Sequence, residues 1–177
     1  MRHVVFVAPY PLETTIRFSS AILGLEDVVL TGVFQEAPKG AAAGLFKEVA
    51  LVENVWDAAQ VVGAVRALER SHGPAHRLLG ILEDLQTPLA LARQKLGLPG
   101  TDPETSHRFR DKGVMKAVLR QAGIPCARAA RIQSEADGWA FVDQVGFPVV
   151  LKPPTGAGCR STYRVDNPQQ LAQALAE

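Results

Sequence analysis

The run from Phe147 to Val165, FPVVLKPPTGAGCRSTYRV, decides how the rest of the chain is read. Phe147, Val149, Val150 and Leu151 make a short apolar strand, and Lys152 closes it. Pro153 and Pro154 stop any helix and carry no backbone N–H. Gly156 and Gly158 can take positive φ and let the backbone approach a ligand closely. Thr162, Tyr163 and Val165 then suggest a returning strand. A lysine beside a turn rich in N–H and hydroxyl donors suits a polyphosphate. The same residues would also serve an ordinary β-hairpin with a glycine turn.

Two commoner phosphate loops are excluded. A Walker loop needs GxxxxGK followed by Ser or Thr, which the chain lacks. A dinucleotide fingerprint needs GxGxxG between a strand and a helix, whereas Ser161 stands at the third glycine position and extended residues follow. An anion here would lie under a hairpin loop, as beneath a nucleotide lid.

Working back from this stretch, strands and helices alternate through the first hundred residues. His3–Ala8 is a continuous apolar run of the kind that both faces of a parallel sheet bury. Pro9 and Pro11 break it, and Thr14 or Thr15 is expected to cap a helix carrying Ile16, Ile22 and Leu23. Val28–Phe34 predicts a second strand, Glu36–Gly44 an exposed loop, and Val49–Val52 a third strand. Asp57 should cap a helix whose face holds Ala58, Val61, Val62, Val65 and Leu68. Leu78–Leu82 predicts a fourth strand, and Leu89–Leu96 a helix that Gly97 and Pro99 stop. The simplest architecture is an α/β fold with an open parallel sheet. Ligands gather beyond the carboxyl ends of such strands. Glu13 and Glu83 stand there as weak substrate candidates, each read more readily as a solvated or capping carboxylate. No glycine-rich turn follows the first strand, which argues against a dinucleotide site in this half.

GTDPETS, Gly100 to Ser106, is a polar break, so domains are expected at 1–105 and 106–177. One helix is expected from about Ser106 to Ala122, with Met115, Val118 and Leu119 as its apolar stripe. Lys112 and Lys116 lie one turn apart elsewhere on its surface, where lysines are usually solvated. Arg108 and Arg110 read as a solvated face. Cys126–Ile132 is expected to be extended. Ser134 and Asp137 precede a helix with Trp139, Phe141 and Val142 that should pack on the hairpin. Asn167-Pro168 opens a last helix over Gln169–Ala176.

Bulk properties narrow the function classes. The chain has 19 Lys and Arg against 18 Asp and Glu, a net charge of +1, so nothing marks a nucleic-acid or membrane partner. Cys126 and Cys159 are far apart, and no CxxC spacing suggests a disulfide or zinc site. Cys159 lies inside the glycine loop but no motif supplies it with a base. His3, His72, His76 and His107 have no metal-ligand spacing and read as surface or structural residues. With no leader and no run long enough to cross a bilayer, a cytoplasmic protein is expected.

Arg108-Phe109-Arg110-Asp111-Lys112 with Met115-Lys116, then Gly123-Ile124-Pro125, then FPVVLKPPTGAG, resembles the ATP-grasp superfamily. The first hundred residues resemble the Rossmann-like pre-ATP-grasp domain, and LEDLQTPLALARQKLGLPG is similar to its closing segment. The resemblance implies a ligase that phosphorylates a small carboxylate with Mg-ATP and passes the acyl-phosphate to an amine or similar nucleophile. It implies ATP and magnesium as cofactors and a possible homodimer. It also implies that Lys112 contacts the α-phosphate, that Lys152 bridges the α- and β-phosphates, and that Thr155, Gly156, Gly158, Ser161 and Thr162 fold over the β- and γ-phosphates. In the family, the adenine hinge, metal ligands and substrate-binding bases follow the lid. The chain ends at Glu177, before any of them, so a truncated, inactive fragment is the expectation. A non-catalytic nucleotide-binding or regulatory module is the alternative. A dinucleotide enzyme is a third reading, which the hairpin context of Gly156 opposes.

Overall fold

Seven residues from Arg2 to Ala8 form β1, and all but Arg2 are buried. The structure, a computed structural model, describes residues 1–176 and divides into two compact units, Met1–Ser106 and His107–Glu177.

In the first unit β1 pairs in parallel with β2 (Val28–Phe34) on one side and β4 (Ala75–Leu79) on the other. The short β3 (Val49–Leu51) extends the sheet beyond β2, giving the order β3-β2-β1-β4. The helices α1 (Glu13–Leu23), α2 (Ala58–His72) and α3 (Gln86–Leu96) fall between or after the strands. Alternating residues of β1 explain why both faces are apolar. Val5 and Val7 join Val61, Val65, Leu68 and Leu89 in one core cluster, while Val4 and Phe6 join Leu30, Phe34 and Phe46 in another.

The elements depart from expectation at several points. The backbone at the α1 N-cap is Leu12, with no side-chain cap, and Thr15 is instead fully buried with its hydroxyl 3.5 Å from the Tyr10 carbonyl. Gly40–Leu45 winds into a 3-10 turn where a loop was expected. The fourth strand starts and ends three residues earlier than the LLGIL run predicts. At Gly80 a β-carbon would stand 3.0 Å from the Val7 carbonyl and 2.5 Å from Leu89 Cδ1, so the chain passes too close to its neighbours to carry a side chain there. A short 3-10 turn, Glu83–Leu85, then leads into α3, whose end is closed by Gly97 at φ 67°. Asp57 caps α2 as expected, accepting from the Ala59 N–H at 2.8 Å.

His3 is a structural histidine. It is buried, its Nδ1 lies 2.8 Å from the Gly73 carbonyl and its Nε2 lies 2.8 Å from Thr31 Oγ1. A carbonyl only accepts, so Nδ1 carries the hydrogen.

The second unit is built on a smaller core. α4 (Pro103–Arg110) crosses the division between the units, and α5 (Lys112–Gln121), α6 (Glu135–Val145), β5 (Val149–Leu151), β6 (Tyr163–Val165) and α7 (Pro168–Ala176) follow. The expected single helix over 106–122 is two. Asp111 adopts extended backbone (φ −87°, ψ 111°) and its carboxylate accepts from the N–H groups of Gly113 and Val114, which makes it the N-cap of α5. Ser134 and Asp137 form a reciprocal capping box at α6. β5 and β6 pair antiparallel, Val149 opposite Val165 and Leu151 opposite Tyr163, so the chain after Ser161 does turn back on itself. Val142, Val165 and Leu171 are the buried centre, with Trp139, Phe147, Val149 and Tyr163 packed around them. The helix with Trp139 thus packs on the hairpin, as its apolar residues predict.

Candidate functional site

The loop between β5 and β6 gains its shape from three left-handed residues. Gly158, Cys159 and Ser161 have φ of 64°, 58° and 49°. Gly156, expected to use this freedom, does not; its N–H points back to the Pro153 carbonyl at 3.5 Å and a β-carbon there would meet the Pro153 ring at 3.3 Å. Positive φ costs non-glycine residues about 1 kcal/mol or more, a cost borne by Cys159 and Ser161 on either side of Arg160, while the loop's contacts with the rest of the unit lie at its base.

Those contacts come from the junction between α4 and α5. The Lys112 N–H donates to the Pro154 carbonyl at 2.9 Å, the Arg110 guanidinium donates to the Thr155 carbonyl, and Lys112 Nζ donates to the Gly156 carbonyl at 2.6 Å. Three successive loop carbonyls are therefore gripped by a three-residue segment. Arg110 is only 9% exposed, which corrects its reading as part of a solvated face. A guanidinium leaves water only where acceptors replace it, and the Thr155 carbonyl that this one reaches is 45 positions away in the sequence. No local pattern announces such a partner.

Beside the loop lies a cleft of about 1030 Å³ lined by α5, the 127–132 segment, α6 and β5 with Lys152 to Pro154. Its walls bring Lys112 and Lys152 to one space. They add Lys116, Arg120, Arg128 and Arg131, against a single carboxylate, Asp111. Asp111 is itself committed: beyond its two backbone donors, one oxygen lies 3.4 Å from an Arg131 nitrogen. The Val114 N–H, then that of Gly113 and the charge of Arg131 hold its carboxyl below the usual carboxylate range, against the opposing effect of burial. Lys116 and Arg120 both donate to the Ala127 carbonyl at 3.2 Å, which fixes the extended segment against α5. The sequence singled out Lys112 and Lys152 but read Lys116 as solvated, and it passed over Arg120, Arg128 and Arg131. The signal available was the basic run of the α5 surface, continued by Arg128 and Arg131 in a segment with no secondary structure of its own.

Thr155, Gly156, Gly158, Ser161 and Thr162 sit on the β5–β6 loop and do not line this cleft, and all but Gly156 are exposed. Cys159 is an exposed loop residue. Glu13 and Glu83 belong to the first unit. Each opens the element that follows the carboxyl end of its strand, β1 and β4, which are neighbours in the sheet, and both are exposed. Among the described residues no cluster of three or more His, Cys, Asp or Glu side chains could hold a metal ion. The cleft's lining carries six cationic side chains and one carboxylate. No helix among the described residues is long and apolar enough to cross a membrane.

Residues 111–177 match the family model for the carbamoyl-phosphate synthase L chain, ATP binding domain. The carbamoyl phosphate synthase large chain of Streptomyces griseus subsp. griseus is 32% identical over 106 residues, covering 56% of this chain and 10% of the relative. Among solved structures, an L-amino acid ligase from Bacillus licheniformis superposes with a TM-score of 0.77 at 20% identity, covering 99% of this chain and 42% of that one. The biotin carboxylase domain of a Hydrogenobacter thermophilus 2-oxoglutarate carboxylase, a dimer in complex with MgADP, ADP and bicarbonate, superposes with a TM-score of 0.73 at 18% identity, covering 97% of this chain and 39% of that one. The chain thus spans about a tenth of the curated relative's length.

Proposed function

Taking the chain as a member of the ATP-grasp superfamily, we propose that the cationic cleft of the second unit holds the phosphates of ATP. The whole protein would use that ATP to convert a carboxylate into an acyl-phosphate, which an amine or similar nucleophile then attacks. The observation that carries this reading is the cleft's charge: six cationic side chains face one carboxylate that is already hydrogen-bonded. Such a surface is matched to a triphosphate, whose negative charge needs several donors at once.

The roles follow from position. Lys152, exposed at the end of β5, and Lys112, at the first turn of α5, present ammonium groups from two walls. The N-terminus of α5 adds a weak positive field on the Lys112 side. Thr155, Gly158, Ser161 and Thr162 supply hydroxyl and N–H donors that could cover the phosphates once the loop closes, and closure would keep water from a labile acyl-phosphate. A cytoplasmic location and a homodimer belong to the same reading.

Calorimetry with Mg-ADP and with inorganic tripolyphosphate tests it. Both should bind, adenosine should not, and Lys152→Met should weaken both by about 10- to 100-fold, as expected for one hydrogen bond to a charged group. Equal affinity for adenosine, or unchanged affinity in the Lys152 variant, would refute the phosphate assignment.

A further inference from the structure

The three-carbonyl grip divides its two side chains between different surroundings. Lys112 lines the cleft, so its ammonium can exchange the Gly156 carbonyl for a ligand oxygen. Arg110 does not line the cleft and is 9% exposed, so its hold on the Thr155 carbonyl is sheltered from any such exchange. We propose that Arg110 is a positioning residue for the β5–β6 loop: it anchors the loop's base at Thr155 while Lys112 is free to change partners. The proposal rests on the phosphate reading only for the identity of what Lys112 exchanges onto.

The physical argument has two parts. A loop with left-handed Cys159 and Ser161 relaxes unless its base is fixed. If Lys112 supplied the only side-chain hold, ligand binding would leave the base held by the Lys112 N–H on the Pro154 carbonyl alone at the moment the loop must close. A second cation that ligand cannot reach keeps Pro154 to Gly156 in register through the exchange. Arginine suits this role, because its planar fork leaves further donors for other partners while one nitrogen holds the carbonyl.

Trypsin reads the loop directly, because Arg160 is exposed within it and Arg128, exposed in the same unit, serves as reference. Arg110→Met should raise cleavage after Arg160 relative to Arg128 by roughly tenfold, the factor equivalent to about 1.4 kcal/mol. Arg110→Lys, which retains a charged donor, should restore most of the protection. Lys112→Met should raise the ratio by less than Arg110→Met, since its backbone N–H still holds Pro154. An unchanged ratio in both Arg110 variants overturns the proposal, and so does an equal rise at both sites, which would make Arg110 a general stability residue. If the methionine variant unfolds, Arg110→Gln replaces it: a raised ratio supports the anchor, and an unchanged ratio or an equal rise at both sites overturns it. Added Mg-ADP should protect Arg160 in the wild type. Failure of that protection alone would count against the phosphate reading and leave the ligand-free ratio to judge Arg110.

Discussion

Asp111 is where a single residue does most to shape the second unit. It ends α4, starts α5 and sets the spacing that places Arg110 on one side of the junction and Lys112 on the other. Its carboxylate accepts from two backbone N–H groups and is 3% exposed, so its removal strands donors that water cannot easily reach. Asp111→Ala should lower stability by about 1–2 kcal/mol, the range for loss of an N-cap, read as a shift in the urea midpoint. The pH dependence has a definite sign. The folded carboxyl titrates below its ordinary value, chiefly because of the Val114 N–H. The native state therefore gains from Asp111 throughout neutral pH, and that gain is lost as pH falls from the usual carboxylate range through the depressed folded value. The Ala variant should show a shallower loss of stability on acidification than the wild type. Parallel curves would mean that the cap contributes nothing through its charge.

At the level of elements, the hairpin and the two helices packed on it, α6 and α7, depend on few buried side chains. Val142, Val165 and Leu171 alone are fully buried in this cluster, against fourteen in the larger cluster of the first unit. Leu171→Ala should cost roughly 2–4 kcal/mol, and circular dichroism or hydrogen exchange should show the hairpin amides losing protection before those of β1 and β2. Simultaneous loss in both regions would show the small core to be less independent than its composition implies. The same contrast explains what the sequence disclosed. β1 and β2 were legible because long apolar runs with two buried faces have one reading. The β5–β6 pairing was legible from Val149, Tyr163 and Val165 around a glycine turn. The fourth strand was misplaced because its Ala75–Leu79 segment carries exposed His76 and Arg77, so sheet pairing rather than hydropathy defines it. The α4–α5 break was missed because no proline or glycine precedes it; only the cap-forming Asp111, with Gly113 two residues on, hinted at a new helix start. Arg110 was beyond reach, since the fold alone brings the Thr155 carbonyl near it.

Over the whole molecule, charge is almost balanced and unevenly placed. Of 19 basic residues six line the cleft, and of 18 acidic residues one does, so 13 basic and 17 acidic residues remain for the rest of the chain. A net charge of +1 thus conceals a positive cleft on an otherwise acidic body, which is why composition by itself pointed to no partner. The consequence is measurable. A polyphosphate drawn mainly by these charges should bind progressively less well as salt shortens the screening length from about 10 Å at 0.1 M toward about 3 Å at 1 M. Affinity for tripolyphosphate should fall roughly tenfold or more between 0.05 and 0.5 M sodium chloride. Arg128→Gln and Arg131→Gln should each reduce the slope of that dependence, even though neither is needed for the loop grip. Removing an acidic residue outside the cleft, such as Glu36, should leave the slope unchanged. A salt-independent affinity, or equal effects from cleft and distant charges, would show that the cleft's cations serve the fold rather than an anionic ligand.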